Sequence, residues 1–201
     1  MACFIVFEGG DDSGKSTQSR VLYRRLQQQG NPTLLTREPG GTPSGEVIRR
    51  LLKNHQDISS LSELLLFVAA RAELVESVIE PALGTGTIVI SDRYTASTVA
   101  YQGYGRGLDL ALIQELNLVA ARGLAPDLTV LLELPISVAL DRRANRVADT
   151  FEAAPPEFHH RVRDGYLAQA AADPQKWLVL DATGSRQQLG REIWAKVQPL
   201  L

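Results

Sequence analysis

Apolar and polar positions alternate along this chain in two rhythms. Residues 2–7 (ACFIVF) form an unbroken apolar run, the pattern of a strand covered on both faces of a parallel sheet. A helix is expected over 16–29, stopped by Gly30, and a strand over 33–36. A short helix follows at 44–53. A long one at 61–83 carries Leu64, Val68, Ala72, Val75 and Ile79 at helical spacing and ends at Gly84 and Gly86. Residues 87–91 (TIVIS) read as a β-branched strand. Asp109 reads as the N-cap of a helix reaching about residue 122, with Gly123 as its stop. Strands at 128–134 and 177–180 alternate with helices at 137–146, 156–172 and 185–197.

This order implies an α/β fold: a three-layer sandwich around five parallel strands. Neither a repeat nor a linker interrupts it, so residues 1–201 are expected to form one domain. Residues 146–156 are polar, contain two prolines and lie between Arg142, Arg143, Arg146 and Arg161, Arg163, as a short mobile lid would.

Composition narrows the class. Apolar residues make up 44% of the 201 and charged residues 22%, as in ordinary globular proteins. A formal net charge of -2 argues against broad nucleic-acid binding. No run reaches the ~18 apolar residues of a membrane span. The single cysteine, Cys3, excludes an internal disulfide, and no targeting segment precedes the first strand, so a cytoplasmic protein is expected.

The chemistry begins after the first strand. Gly9-Gly10-Asp11-Asp12-Ser13-Gly14-Lys15-Ser16 fits the phosphate-loop pattern GxxxxGK[ST] at every fixed position, between a strand and a helix. Glycines let backbone N–H groups converge on phosphate oxygens, and the helix N-terminus favours negative charge. Lys15 reaches the β- and γ-phosphates, and the Ser16 hydroxyl suits Mg²⁺. A nucleotide such as ATP is implied, and the fold is of the P-loop NTPase type. A guanine-reading NKxD motif is absent, and the DxxG string at 181–184 follows the wrong strand for a GTPase switch.

Two further strand ends carry charge. Arg37 and Glu38 begin a Pro- and Gly-containing loop, and Asp92 and Arg93 end the third apolar strand. Ligands of open α/β sheets bind at such ends, so Arg37 and Arg93 are candidate phosphate clamps and Asp92 a candidate to face the metal or the attacking group; a surface charge at Arg37 and a solvated Asp92–Arg93 ion pair are the alternatives. Phe67 and Arg71 share one helix face, as a base-stacking ring and an edge-reading guanidinium would; a core ring and a buried ion pair with a helix neighbour fit equally. Residues 101–107 (YQGYGRG) suit a base or sugar pocket, or a flexible loop.

Taken together, FEGGDDSGKSTQ, TREPGGTPSGEVIR, ELLLFVAARAEL, SDRYTASTVAYQGYGRGLD, LAPDLTVLLELP and FHHRVRDGYLAQA resemble the thymidylate kinase family, in family order and over most of the chain. The resemblance implies ATP- and Mg²⁺-dependent phosphorylation of dTMP to dTDP by a homodimer. By the same resemblance, residues 9–16 hold the ATP phosphates and Asp11 lies near the dTMP sugar. Phe67 stacks on thymine and Arg71 reads its edge. Arg37 and Arg93 hold the dTMP phosphate, and Glu38 of the same loop is a further substrate-binding residue. Asp92 assists Mg²⁺ or the acceptor. Ser97, Thr98 and Gln102 serve the thymine side, and Tyr101 crowds the ribose 2′ position.

One departure stands out. Family members carry a mobile arginine either at the position of Asp12 or in a lid segment D-R-[IF]-E. Here the loop has Asp12 and the lid reads Asp149-Thr150-Phe151-Glu152. Arg146 is the first candidate for the missing cation, before Arg142 and Arg143. Asp12 is expected to point outward. A kinase of another nucleoside monophosphate and a nucleotide-binding module with little catalysis are the competing readings.

Overall fold

The structure, a computed structural model, describes residues 2–54, 57–143, 151 and 153–201. Five strands form its sheet: β1 Cys3–Glu8, β2 Thr33–Arg37, β3 Ile88–Asp92, β4 Leu128–Glu133 and β5 Trp177–Asp181. All pairs are parallel, in the spatial order β2-β3-β1-β4-β5. Each strand ends on a charged residue: Glu8, Arg37, Asp92, Glu133 and Asp181. Register brings these ends together, with Asp92 opposite both Phe7 and Arg37.

Strand periodicity divides the core. Cys3, Ile5 and Phe7 of β1 face Leu22 and Leu26 of helix α1, Lys15–Gln28, and Leu189 and Ile193 of the last helix, Arg186–Val197. Phe4 and Val6 point the other way, onto Leu74, Val75 and Ile79. Helices therefore cover both faces of the sheet, which explains why β1 is apolar without alternation until Glu8.

The remaining helices are α2 Pro43–Asn54, α3 Ser60–Leu74, α4 Glu80–Gly84, α5 Thr95–Thr98, α6 Leu110–Ala120, α7 Ile136–Arg143 and α8 Pro156–Ala172; the C-terminal helix is α9. Asp109 and Ser185 cap α6 and α9 by accepting from Ala111 N and Gln188 N. The expected long helix at 61–83 is continuous in space but changes its hydrogen-bond ladder, passing through a π-helical segment, Val75–Ile79. Pro81 has no N–H for the carbonyl four residues back, so the regular ladder cannot run through that point. A second π-helical segment, Val99–Gly105, takes up most of the stretch that reads from sequence as a loop. It packs closely on α8: a Cβ on Gly105 would lie 2.6 Å from the Phe158 ring. Most of the expected lid, including Arg146, Asp149, Thr150 and Glu152, lies outside the described residues.

Candidate active site

The phosphate loop joins β1 to α1 at the C-terminal edge of the sheet. Gly9 has φ 137°, and a Cβ there would lie 2.4 Å from the Leu132 carbonyl oxygen, so the neighbouring strand forbids a side chain. Asp12 has φ 60°, a left-handed conformation that aspartate tolerates better than most residues. It is half-buried, and its carbonyl accepts from Arg142 Nη1 at 3.0 Å, while Arg142 Nη2 donates to Ala182 O. Arg142 thereby ties the loop to the turn after β5.

Lys15 is buried, and its Nζ donates to Gly10 O and Ser13 Oγ. Burial, reinforced by Arg93, lowers its pKa to about 8, against the pull of Asp11, Asp92 and Glu8. The Ser16 hydroxyl donates to Asp92 Oδ2 across the mouth of the loop.

Arg93 organises the centre. It too is left-handed, with φ 76°. Nη1 donates to Gly9 O, Ser97 Oγ and Tyr166 OH at 3.1–3.2 Å. Nη2 donates to Asp11 Oδ1 at 2.7 Å and Tyr101 OH at 3.2 Å, and Tyr101 OH donates to Asp11 Oδ2. Asp11, expected near a sugar, is thus ion-paired with the arginine expected on a phosphate.

Glu8 holds this group from below and was not singled out from sequence. It is fully buried, and its carboxylate accepts from Tyr94 N, Ser97 N, Ser97 Oγ and Tyr166 OH at 2.6–3.2 Å. Burial raises its pKa, opposed by those donors and by Arg93. A charged residue closing an otherwise wholly apolar strand was the available signal.

Arg37 is half exposed and pairs with Glu46 at 2.9 Å. Arg49, also missed, donates to Pro39 O from α2 and lines the same cleft. Its pKa is lowered by burial and then by Arg37, with Arg93 adding to the effect. Arg49 therefore sits in the repulsive field of two neighbouring guanidiniums, and an anion bound there would relieve it.

The opposite wall is aromatic and amide. Phe67 lies 5.8 Å from the Phe151 ring, centroid to centroid, and Phe151 lies 6.2 Å from Tyr101. Arg71 is 1% exposed. Its partners are Glu38 (2.6–3.1 Å), Asn117, Thr98 Oγ1 and Tyr94 O. The ion pair therefore comes from the loop after β2 rather than from a helix neighbour. Ser97 faces Glu8, and Gln102 Nε2 donates to Glu63. Among the other lid-flanking arginines, Arg161 donates to Tyr104 and Gly105 carbonyls and Arg163 pairs with Glu133. Both walls and the phosphate loop line one cleft of about 830 Å³, enough for a nucleotide-sized ligand.

A phosphate loop and an arginine cluster at one end of a cleft, with rings and an amide at the other, on a parallel sheet, define a P-loop nucleoside monophosphate kinase. A family model described as thymidylate kinase matches residues 7–193. The chain is 51% identical to a thymidylate kinase of Dehalococcoides mccartyi, over 100% of this chain and 98% of the other. It is 47% identical to one of Thermomicrobium roseum, over 100% and 97%. It superposes on the crystal structure of thymidylate kinase from Ehrlichia chaffeensis with a TM-score of 0.81 at 38% identity, covering 98% of each chain. The chain belongs to the thymidylate kinase family, whose members transfer a phosphoryl group from ATP to dTMP.

Proposed function

We propose that this chain, as one domain, joins ATP and dTMP in the cleft at the C-terminal sheet edge, with the following residue roles. Residues 9–16 cradle the ATP phosphates, and Lys15 neutralises charge on the phosphoryl group in flight. Arg37, Arg49 and Arg93 hold the dTMP phosphate in line with it. The observation that carries the reading is the convergence of Lys15 and three arginines on one cleft whose far wall is Phe67, Tyr101 and Gln102. The acceptor phosphate oxygen is nucleophilic near neutral pH. The protein's contribution is therefore to bring two anions together and to offset charge at the transferred group.

Ser16 and Asp92 offer adjacent hard oxygen donors, which suit Mg²⁺. Among the described residues no cluster of three or more His, Cys, Asp or Glu is present, so substrate phosphates would have to complete the shell. When bound, Mg²⁺ would offset β- and γ-phosphate charge. At the sugar, Asp11 accepts from a hydroxyl and Tyr101 leaves little room at the 2′ position. Phe67 stacks on the base, Arg71 donates to its edge, and Thr98 supports Arg71.

Residues 146–156 form the lid in this reading; Phe151, which meets Phe67 and Tyr101, supports it. The first candidate for the missing cation, Arg146, lies outside the described residues. Arg142, which reaches the loop at Asp12, is the described candidate.

Turnover decides the reading. ADP release should be fast with dTMP and slow with dCMP or dGMP. Equal turnover of all three sinks the substrate assignment, and binding without turnover sinks the catalytic one.

Asp12 should oppose catalysis through charge alone. At about 5 Å from the γ-phosphate a carboxylate would cost ~3 kcal/mol at an effective dielectric near 20. Solvent screening at a half-buried position reduces this to about 1 kcal/mol. Asp12→Gly accepts the same backbone angle and is expected to raise kcat/KM for ATP about fivefold. An unchanged value would mean that the charge does not reach the phosphates.

The reading includes a homodimer in the cytoplasm. Val47 and Leu51 of α2, Leu61 and Leu65 of α3, and Leu118 and Val119 of α6 are exposed apolar side chains on helices that pack side by side. No helix among the described residues is long and apolar enough to cross a membrane. Leu65→Glu is expected to give a folded monomer by analytical ultracentrifugation; an unchanged dimer moves the interface elsewhere.

A further inference from the structure

Glu63 has no place in the scheme above, yet it is buried behind the base-facing wall, one helical turn before Phe67. Its Oε1 accepts from Gln102 Nε2 at 2.9 Å and from Arg106 Nε at 3.2 Å, and its Oε2 accepts from Arg106 Nη2 at 2.9 Å. Arg106 grips the carboxylate with two nitrogens, in charge-assisted hydrogen bonds, and a carboxylate only accepts. Arg106 is held in turn over the rings of Phe151 and Phe158.

This fixes a choice that an amide normally leaves open. A glutamine side chain can present either its oxygen or its NH₂ to a ligand. With Glu63 as an obligate acceptor, Gln102 must turn Nε2 toward it, and Oε1 points away from the carboxylate. Gln102 lines the cleft, and among the described residues no donor reaches Oε1. On the same wall Arg71 gives one Nη1 N–H to Asn117, and its second Nη1 N–H meets no described acceptor. On this wall Arg71 therefore offers a donor and Gln102 an acceptor.

We propose that Glu63, clamped by Arg106, is a specificity-determining positioning residue: it sets the Gln102 amide so that its oxygen accepts from the N3–H of a 4-oxo pyrimidine. This rests on the assignment of the cleft's far wall to the base. Thymine and uracil present a carbonyl and an adjacent N–H, matching the donor and the acceptor. Cytosine presents an amino group and a bare ring nitrogen, the reverse at both positions. Leaving two polar groups mispaired in a dry pocket is the kind of mismatch that separates substrates by orders of magnitude.

The test is Glu63→Gln, assayed with dTMP, dUMP and dCMP. Residue 63 would then no longer be an obligate acceptor, and the Gln102 amide could turn its NH₂ to the cleft. The dTMP-to-dCMP ratio of kcat/KM should fall at least about tenfold, carried by KM. The dTMP-to-dUMP ratio should stay unchanged, because both bases carry N3–H. Glu63→Asp, which keeps the charge, should retain most of the preference. Uniform losses with an unchanged dTMP-to-dCMP ratio would overturn the proposal and leave a structural ion pair. If Glu63→Gln does not fold, Gln102→Met decides: kcat/KM should fall about tenfold for dTMP and not for dCMP, and equal losses overturn the proposal. Wild-type protein that does not prefer dTMP over dCMP would instead refute the substrate reading beneath it.

Discussion

Arg93→Ala should lower kcat/KM for dTMP by about 10³-fold or more, and it should also lower stability. The activity loss follows from position. The guanidinium meets the phosphate loop at Gly9, the carboxylate of Asp11 and three hydroxyls. It stands where acceptor phosphate and phosphate loop meet in the proposed geometry. Losing a preorganised cation at a transferring phosphoryl group costs about 10³–10⁵ in rate, or roughly 4–7 kcal/mol. Lysine cannot reproduce a two-nitrogen fork, so Arg93→Lys should recover only a small part.

The stability loss has two sources that can be separated. Removing the guanidinium breaks the ion pair with Asp11 and takes away the favourable field at buried Glu8. Asp11 retains 21% side-chain exposure, so about 2–3 kcal/mol is expected, below the figure for a fully buried pair. The second source is the backbone. At φ 76° any side chain is strained, and the segment is pinned by Arg93 N donating to Phe7 O and by Ser91 Oγ donating to Arg93 O. Arg93→Gly loses the same guanidinium but relieves the angle. It should unfold at higher denaturant than Arg93→Ala, by about 1 kcal/mol. Equal stability of the two variants would mean that the backbone at 93 relaxes once the side chain is gone.

Arg93 also shows what could be read in the sequence and what could not. The strands, the phosphate loop and the charged strand ends rest on short-range patterns, and residues such as Lys15 and Asp92 carry them within a few positions. Glu8 does not. Its partners lie 86, 89 and 158 residues away, so nothing near it in the chain reveals the cage it builds. Arg49 reads as an ordinary polar residue of an amphipathic helix until α2 is laid beside Arg37. Glu63 and Gln102 are 39 residues apart and both lie in helical segments, where spacing marks burial but not partners. The π-helical segments escape hydrophobic periodicity because a shifted hydrogen-bond ladder changes few exposed positions; Pro81 was the one local sign of the first. The lid cation stays where the sequence left it, since Arg146 lies outside the described residues.

Lys15→Met should also lower kcat by about 10³-fold, but with the opposite effect on the free protein. Lys15 is buried beside Arg93, and its charged form is disfavoured before nucleotide arrives. A methionine of similar length removes that burden, so the melting temperature at pH 7 should hold or rise, unlike that of Arg93→Ala. The pH dependence carries the same sign. The folded pKa is about 8, below the 10.5 of an ordinary lysine. Between those values the unfolded chain holds a proton that the folded chain has released, so the lysine's contribution to stability increases with pH across that window. Binding ATP reverses the preference, because the phosphates favour the ammonium. Above about pH 8 binding should therefore take up a proton at Lys15, and affinity should fall with pH in wild type but not through this residue in Lys15→Met. Calorimetric titration in two buffers of different ionisation enthalpy measures that proton directly. If wild type and variant show the same uptake at pH 9, the lysine is already charged in the free protein, and the cation cluster is less crowded than its burial implies.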